Sequence, residues 1–176
     1  AAKGFTRCTI DDIALAAGAG KGTFYRQFES KDHLLGALWQ RYIDTLVATV
    51  NDHLTDAGNT WSLEMVEATF IELIEIAVAH ADLHQLVYSA SSGRAHEICR
   101  EANQQVIGRL ADYVQAGADA GLVTATDPRF TLAVLYEGLD ARLDHLIAKG
   151  DKHQLDTVAD RFIPILRNAL CPRRKP

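Results

Sequence analysis

The chain has few cysteines and prolines and no long apolar run. Its three cysteines, Cys8, Cys99 and Cys171, are widely spaced and odd in number, which excludes a disulfide framework and the paired spacing of a zinc site. No run of about 18 apolar residues suggests a membrane span, and the first residues do not resemble a signal peptide. We therefore expect a globular protein of the reducing cytoplasm with no membrane partner, whose cysteines are buried or incidental; a redox-sensing thiol is the alternative.

The sequence also contains no familiar catalytic pattern. A Gly-x-Ser-x-Gly elbow, a Walker loop and a dinucleotide fingerprint are all absent. His80 and His84 are four residues apart, a spacing that zinc can use, but Ala81 stands where a His-Glu-x-x-His motif requires glutamate. We therefore expect no enzymatic activity, no cofactor and no bound metal.

Positive charge is scarce overall but is not evenly distributed. The chain has 18 basic and 23 acidic side chains, a formal net charge of −5, which alone argues against a nucleic-acid partner. Residues 1–31, however, contain five basic and three acidic side chains, so this segment carries +2 and the remainder −7. A basic end on an acidic body is expected when only one face meets phosphates, although ordinary surface charge also produces a difference this small.

The most informative pattern follows the first eight residues and predicts two short helices joined by a glycine turn. Thr9 is placed to cap the first helix, and Asp12 stands three residues later, as in a capping box. Gly18 follows the apolar stripe of this helix, where a C-terminus favours positive φ. The next helix has room for about two turns, with Phe24 and Phe28 on one side. This layout is typical of a helix-turn-helix, whose second helix enters the DNA major groove.

This segment resembles the DNA-binding region of the tetracycline-repressor (TetR) family of bacterial transcription regulators. The resemblance covers about 45 residues and rests on Gly4-Phe5, Ile10-Asp-Asp-Ile-Ala14, Ala17-Gly18, Lys21-Gly-Thr-Phe-Tyr25, Phe28 and Ser30-Lys31. The family commonly has serine where Gly20 stands, and a longer first helix before Gly4. The resemblance implies an all-α fold with a helix-turn-helix DNA-binding domain over 1–44, its first helix largely missing here, and a helical effector-binding and dimerisation domain over 45–176.

The resemblance and the positions of the side chains together suggest how the segment would meet DNA. Residues at matching family positions, and a lysine at a helix start, are expected at phosphates. Outward side chains of the second helix are expected at base edges, where a glycine lets the backbone approach closely. The expected phosphate contacts are Thr9, Tyr25 and Lys31. The expected base-reading residues are Lys21, Thr23 and Arg26, and Gly22 is the glycine that permits close approach. Ordinary surface residues are the alternative interpretation of this set.

The rest of the chain is predicted to be helical, with no convincing strand. Apolar periodicity and turn residues place these helices. The expected helices span about 31–54, 61–80, 84–88, 94–120, 127–148 and 155–170, with loops at 51–60 and 89–93. Asp127-Pro128 is a clear helix start, and Pro164 is expected to kink the last helix.

Two further expectations come from the family resemblance. In the family the last two long helices pair with their twofold mates, although regular leucine spacing suits an intrachain core equally well. The implied homodimer interface comprises Leu132, Leu135, Leu139, Leu143, Leu146, Val158, Phe162 and Ile165. The middle helices are expected to form an effector pocket lined by Trp61, Met65, Phe70, Tyr88, Tyr113 and Tyr136, residues that are also typical of plain core.

Together these features predict a ligand-responsive transcriptional repressor. Its partners would be a palindromic operator DNA, a second copy of the chain, and a small apolar or aromatic effector that releases the DNA. The alternative is an all-α ligand-binding or adaptor protein of the same fold that does not bind an operator.

Overall fold

The computed structural model describes residues 4–56, 61–89 and 93–171, which form helices joined by short connections. The helices are α1 (Gly4–Arg7), α2 (Ile10–Ala16), α3 (Lys21–Gln27), α4 (Lys31–Asp56), α5 (Leu63–Ala79), α6 (Ala81–Ser89), α7 (Gly93–Asp119), α8 (Pro128–Lys149), α9 (Lys152–Asp156) and α10 (Val158–Leu170). These ranges contain no strand, so the expected all-α class is confirmed. None of the helices in the described ranges is both long enough and apolar enough to cross a membrane.

Helix α2 begins and ends where the sequence predicts. The Asp12 amide donates to the Thr9 hydroxyl at 3.1 Å, and the Thr9 amide donates to Asp12 Oδ2 at 2.9 Å, which completes a capping box. Gly18 has a φ of 64°, and the Ala19 amide donates to the Ala14 carbonyl at 2.8 Å, as in a Schellman motif. The turn thereby sets the direction in which α3 leaves α2.

The two longest helices approach each other at a glycine. A Cβ atom built on Gly36 of α4 would lie 2.7 Å from Cγ2 of Ile98 on α7, closer than real side chains pack. Around this contact the core is filled by side chains that are at most 2% exposed. The largest of these are Trp39, Phe70, Leu35, Ile43, Leu46, Leu110, Leu132, Leu166 and Leu170. The core therefore lies among α4, α5, α7, α8 and α10.

Helices α5 and α10 are joined by an aromatic contact and an ion pair. The Phe70 and Phe162 ring centroids are 5.1 Å apart. Glu67, only 7% exposed, accepts two hydrogen bonds of 2.6 Å from the Arg167 guanidinium, in the bidentate arrangement that arginine favours. These contacts fix α10 against the core, so α10 is not merely appended to α8.

Helix α8 confirms the expected helix start. The Asp127 carboxylate accepts a hydrogen bond from the Phe130 amide at 3.0 Å, and Pro128 occupies the first helical position. The helix ends at Gly150, whose φ of 65° requires a residue that tolerates the left-handed region.

The expected single helix over 155–170 is wrong, because the chain forms α9 and α10 with a break at Thr157. The Thr157 hydroxyl donates to the His153 carbonyl at 3.1 Å, so the side chain competes with the backbone for an acceptor of the helical ladder. Asp151 caps α9 by accepting from the Gln154 amide at 3.2 Å. Pro164 lies within α10, which continues to Leu170. Helix α4 runs to Asp56, past the expected end; the rest of the first expected loop, at 57–60, and most of the second, at 90–92, lie outside the described residues.

Candidate nucleic-acid interface and helical core

The outer side of α3 is the candidate nucleic-acid interface. Phe24 is 7% exposed and faces inward, with the Phe28 ring 5.6 Å away, whereas Tyr25 is 52% exposed. The exposed residues of the expected DNA-contacting set are Thr9, Lys21, Gly22, Thr23, Tyr25 and Arg26. The short helix therefore buries its aromatic side and presents hydroxyls and cations to solvent, on the same domain as the capped start of α2.

Lys21 is already paired on this surface. Its Nζ lies 3.1 Å from Oδ2 of Asp11, and both side chains are more than half exposed, at 54% and 67%. The hydrogen bond to Asp11 raises the pKa of Lys21. Because the pair joins α2 to α3 in the absence of DNA, Lys21 would have to leave Asp11 to reach a base edge.

The Lys31 side chain, expected at a phosphate, contacts backbone carbonyls in this structure. Its Nζ donates to the Phe5 carbonyl at 3.0 Å and to the Cys8 carbonyl at 2.7 Å, and it lies 5.0 Å from the centre of the Phe5 ring. These carbonyls belong to the C-terminal end of α1 and the residues just after it, where helical carbonyls lack internal partners. In this structure the lysine therefore ties α1 to α4, and a phosphate contact would require it to leave those carbonyls.

Helix α3 has no side chain at its N-cap, which offers a test of local stability. Gly20 has an extended conformation with φ −82° and ψ 155°, and a Cβ built there meets no heavy atom within 4 Å. We expect Gly20→Ser to be more stable than the natural protein by a few tenths of a kcal/mol, and than Gly20→Ala by about 1 kcal/mol, because the hydroxyl can accept an amide hydrogen bond. Urea unfolding of the three proteins measures this, and a serine variant no more stable than the alanine variant contradicts it.

The residues expected to line an effector pocket do not form one cluster. Trp61 and Tyr113 stack with ring centroids 6.0 Å apart, and the Tyr113 hydroxyl accepts a hydrogen bond from the Ser62 amide. A Cβ atom built on Gly117 would clash with the Trp61 indole, so the indole packs directly on the α7 backbone. This tryptophan–tyrosine stack fills its space and leaves no room for a ligand between the ring and the helix.

The other expected pocket residues have different surroundings. Met65 is partly buried, and its amide donates to the Ser62 hydroxyl that caps α5. Phe70 and Tyr136 line a small cavity between α4, α5 and α8. The side chain of Tyr88 lies outside the described part of the structure.

That core cavity has an apolar body and one polar end. It has a volume of about 20 Å³, enough for one water molecule. Its lining comprises Tyr42, Leu46, Phe70, Leu73, Ile74, Ala77, Tyr136, Leu139, Asp140 and Leu143. A larger effector could enter only if the surrounding helices or side chains moved.

Beside the cavity, His84 lies in a buried chain of hydrogen bonds. The ring is fully buried, its Nδ1 lies 2.6 Å from Oδ1 of Asp144, and its Nε2 lies 3.0 Å from the Tyr42 hydroxyl. A neutral imidazole satisfies both contacts by donating from Nδ1 and accepting at Nε2. His84 thereby connects α6 to α4 and α8, while His80, the other member of the expected histidine pair, contacts the Ile76 carbonyl.

A second polar chain ends at Asp140. Trp39 Nε1 donates to Asn103 Oδ1 at 2.9 Å, and Asn103 Nδ2 donates to Asp140 Oδ2 at 3.0 Å. Burial, followed by the nearby Asp144 carboxylate, raises the pKa of Asp140 to about 6. The sequence prediction missed both aspartates, although Tyr136, Asp140 and Asp144 repeat every four residues on one face of α8.

Cys99 and Cys171 lack the lowered thiol pKa of a reactive cysteine. Burial raises the pKa of Cys99 to about 12, and burial also raises the pKa of Cys171. A raised pKa lowers the thiolate fraction and with it the reactivity of the thiol. These two residues therefore fit the interpretation of buried or incidental cysteines better than that of redox sensors.

An apolar groove runs between α8 and α10 on the outside of the molecule. It has a volume of about 280 Å³ and is lined by Val134, Leu135, Gly138, Leu139, Arg142, Leu146, Gln154, Val158, Arg161, Phe162 and Ile165. Ile165 and Val134 are 56% and 52% exposed, whereas Leu132 and Leu143, expected at a dimer interface, are at most 3% exposed within the chain itself. Those two leucines belong to the intrachain core, and Val134 is an exposed residue of this surface that the sequence prediction missed.

Comparison with known proteins finds similarity to bacterial regulators. The family model described as "Bacterial regulatory proteins, tetR family" matches residues 1–38. The HTH-type transcriptional activator FasR of Mycolicibacterium smegmatis is 27% identical over 84% of this chain and 59% of its own length. The HTH-type transcriptional repressor KstR2 of Mycobacterium tuberculosis is 29% identical over 69% of this chain and 62% of its own length. The chain thus spans about three fifths of each of these relatives.

A solved structure extends the likeness to both ends of the described fold. The transcriptional regulator FadR from Bacillus subtilis, determined in complex with stearoyl-CoA, superposes with a TM-score of 0.75 at 17% identity, covering 97% of this chain and 92% of that one. At this identity the likeness establishes the fold. The helix-turn-helix match, the capped α2 and the helical core agree with one another, and residues 1–38 of the chain match the tetR family of bacterial regulatory proteins.

Proposed function

We propose that this protein is a transcription regulator that binds operator DNA through the outer side of α3. The observation that carries this proposal is the division of that helix, which buries Phe24 and leaves Thr23, Tyr25 and Arg26 exposed within a single turn. An exposed polar helix held by one apolar side on a capped partner helix is suited to the major groove. The mildly basic charge of residues 1–31 supports the same orientation toward phosphates.

The residues of this surface are assigned to base or phosphate contacts according to their position and side-chain chemistry. Thr23 and Arg26 are the proposed base-edge contacts, because a hydroxyl and a guanidinium can both read the major groove. Tyr25 and Thr9 are the proposed phosphate contacts, and Gly22 allows the backbone to come close. We rank Lys21 and Lys31 lower as DNA contacts, because their ammonium groups are bonded to the Asp11 carboxylate and to backbone carbonyls, respectively.

A homodimer is the proposed binding form. The groove between α8 and α10 exposes Val134 and Ile165, which a second copy could cover by packing its own helices there in an antiparallel arrangement. One α3 helix reaches few bases, whereas two α3 helices about one DNA turn apart read a palindrome. The proposed boundary between the DNA-binding and effector domains, at residues 44 and 45, falls within α4, so this helix would connect them.

The proposed regulation is release from DNA by a small effector bound in the helical domain. FadR, which shares the fold, was crystallised with an acyl-CoA, so the architecture can accommodate a ligand. In this chain the cavity between α4, α5 and α8 is the proposed site. The dimer would have one arrangement that fits the operator and another in which the α3 helices are spaced differently. A ligand that binds the second arrangement more tightly would lower DNA affinity, and the size of the effect is set by the ratio of its affinities for the two arrangements.

Gel-shift titration with the upstream region of the gene tests DNA binding. We expect a sequence-selective shift whose affinity falls steeply with salt, because phosphate contacts release counterions. Tyr25→Ala is expected to weaken binding about tenfold, the value of roughly one hydrogen bond to a charged group. Tyr25→Phe keeps the ring and removes only the hydroxyl, so it distinguishes the contribution of the hydroxyl to DNA affinity from that of ring packing. An all-α ligand-binding or adaptor protein of this fold would give no selective shift, and that result would overturn the proposal.

A further inference from the structure

The polar end of the core cavity has unused hydrogen-bonding capacity. Tyr136 is 6% exposed and lines the cavity, and among the described residues none forms a hydrogen bond with its hydroxyl. The Asp140 carboxylate, on the same wall, accepts one hydrogen bond from Asn103 through Oδ2. Because the hydroxyl and the carboxylate can each form a further hydrogen bond, a polar occupant is favoured here over an apolar one.

The same end of the cavity carries negative charge without a cationic side chain. Asp140 and Asp144 are one turn apart on α8, and within the described ranges neither lies within 4.0 Å of a lysine or arginine nitrogen. The polar or charged groups that face Asp140 come from four helices. They are Tyr42 from α4, His84 from α6, Cys99 and Asn103 from α7, and Tyr136, Glu137 and Asp144 from α8. The α5 wall is entirely apolar. A positively charged occupant would offset the negative charge of Asp140 and Asp144.

The pKa of Asp140 supports a cation over an anion. Burial and Asp144 raise the pKa of this carboxyl, and they outweigh the opposing effects of His84 and Asn103. A cation at the carboxylate would lower the pKa, whereas an anion would raise it further and keep the group protonated. Binding of a cation should therefore strengthen as pH rises through about 6, where Asp140 ionises.

Tyr42 separates this cavity from an open cleft. The cleft, with a volume of about 310 Å³, is lined by Leu38, Arg41, Tyr42, Thr45, His80 and Leu83. Tyr42 also lines the core cavity, and its hydroxyl is held by His84 at 3.0 Å. Rotation of this one ring would join a polar compartment that holds one water-sized group to a larger compartment, whose walls are apolar at Leu38 and Leu83 and polar at Arg41, Thr45 and His80.

We propose that the joined cavity and cleft form an effector site for a small organic amine. The ammonium group would sit at Asp140 and donate to its carboxylate and to the Tyr136 hydroxyl, while the apolar body would lie in the cleft between Leu38 and Leu83. A plain acyl chain is disfavoured, because its end would offer no hydrogen bond to the Tyr136 hydroxyl and no charge to offset that of the Asp140 carboxylate. This inference rests on the proposed function only in naming the occupant an effector, since binding itself does not require DNA.

Three ligands of equal chain length test the inference: hexylamine, hexanol and hexanoate. We expect isothermal titration at pH 8 to show binding of hexylamine at least tenfold tighter than that of hexanol, and no measurable binding of hexanoate. Hexylamine affinity should also fall at least tenfold between pH 8 and pH 5. Hexanoate that binds as tightly as hexylamine, or hexylamine affinity that does not change with pH, would overturn the inference.

Matched variants locate the site. Asp140→Asn should weaken hexylamine binding at least tenfold, and Tyr136→Phe, which removes only the hydroxyl, should weaken it severalfold with an unchanged circular dichroism spectrum. Glu75→Gln, at an exposed position of α5, should bind hexylamine normally. Hexylamine binding that survives both cavity substitutions, or a crystal grown with hexylamine that shows only a water molecule in the cavity, would refute the site. If the protein binds DNA in the gel shift but does not bind hexylamine, only this inference is refuted. If it binds hexylamine but not DNA, the proposed function is refuted.

Discussion

The double variant Thr23→Ala/Arg26→Ala is expected to bind its operator at least a hundredfold more weakly than the natural protein. Each good base contact is worth about 1–3 kcal/mol, so losing two from each α3 helix leaves mainly phosphate contacts. Both side chains are exposed, whereas the aromatic side of α3 that holds the helix in place is left intact. The loss should therefore appear in DNA binding and not in folding.

Fluorescence anisotropy with the operator and with a scrambled duplex of the same length measures this effect. The double variant should lose selectivity between the two duplexes while keeping most of the affinity for the scrambled one. Arg129→Ala is the matched control, because Arg129 is an exposed arginine on α8 that pairs with Asp112. Unchanged discrimination in the double variant would show that α3 does not read the bases.

Phe70→Ala is expected to lower the free energy of unfolding by about 3–5 kcal/mol, the usual range for a buried phenylalanine. Phe70 is completely buried, packs 5.1 Å from the Phe162 ring, and borders a cavity that already exists. Truncation would merge the lost ring volume with that cavity, and the rigid helices around it cannot collapse to fill the space. The effect should therefore lie near the upper end of the range.

Urea unfolding followed by circular dichroism at fixed protein concentration gives the value. Phe130→Ala supplies the comparison within the same chain, because Phe130 is 66% exposed and its truncation should change the free energy of unfolding by less than about 0.5 kcal/mol. Equal effects of the two substitutions would contradict the packing of α5 against α10.

The local features of the DNA-binding segment could be predicted because short-range chemistry determines them. The Thr9–Asp12 capping box and the left-handed Gly18 depend on residues within three or four positions of each other. The Asp127-Pro128 start of α8 is of the same kind. In each case the residue type and its spacing specify the hydrogen bond, whatever the rest of the chain does.

Features that depend on distant partners were beyond the sequence. His84 meets Asp144 across 60 positions and Lys31 meets Phe5 across 26, so no spacing rule indicates either contact. The sequence prediction therefore treated the histidine as half of a weak zinc pattern and the lysine as a phosphate contact. The break at Thr157 was missed for a related reason, since its hydroxyl can bond a carbonyl with or without ending the helix.

Periodicity also leaves open what covers an apolar stripe. The leucines of α8 repeat regularly, yet Leu132 is buried by the chain itself while the neighbouring Val134 is exposed. Both observations agree with a helix that is apolar over a wide face. Only the placement of α10 separates the residues of the intrachain core from those of the proposed dimer interface.

Helix α4 offers a direct physical route for the proposed coupling between an effector and DNA. It begins at Lys31, whose ammonium is bound to the carbonyls beside α1, and it carries Tyr42, which borders both the core cavity and the open cleft. Because the helix is continuous between these residues, a displacement at Tyr42 would be transmitted along α4 to the N-terminal helices. The proposed regulation therefore requires movement of one rigid element that both sites contact.

Hydroxyl-radical footprinting of the protein on its operator tests DNA reading by paired α3 helices most directly. We predict two symmetric protected half-sites with centres about 10 base pairs apart or a multiple of that, two chains per duplex, and loss of protection in the Thr23→Ala/Arg26→Ala variant. Protection that is absent, that does not depend on the DNA sequence, or that persists in the double variant would contradict DNA reading by paired α3 helices.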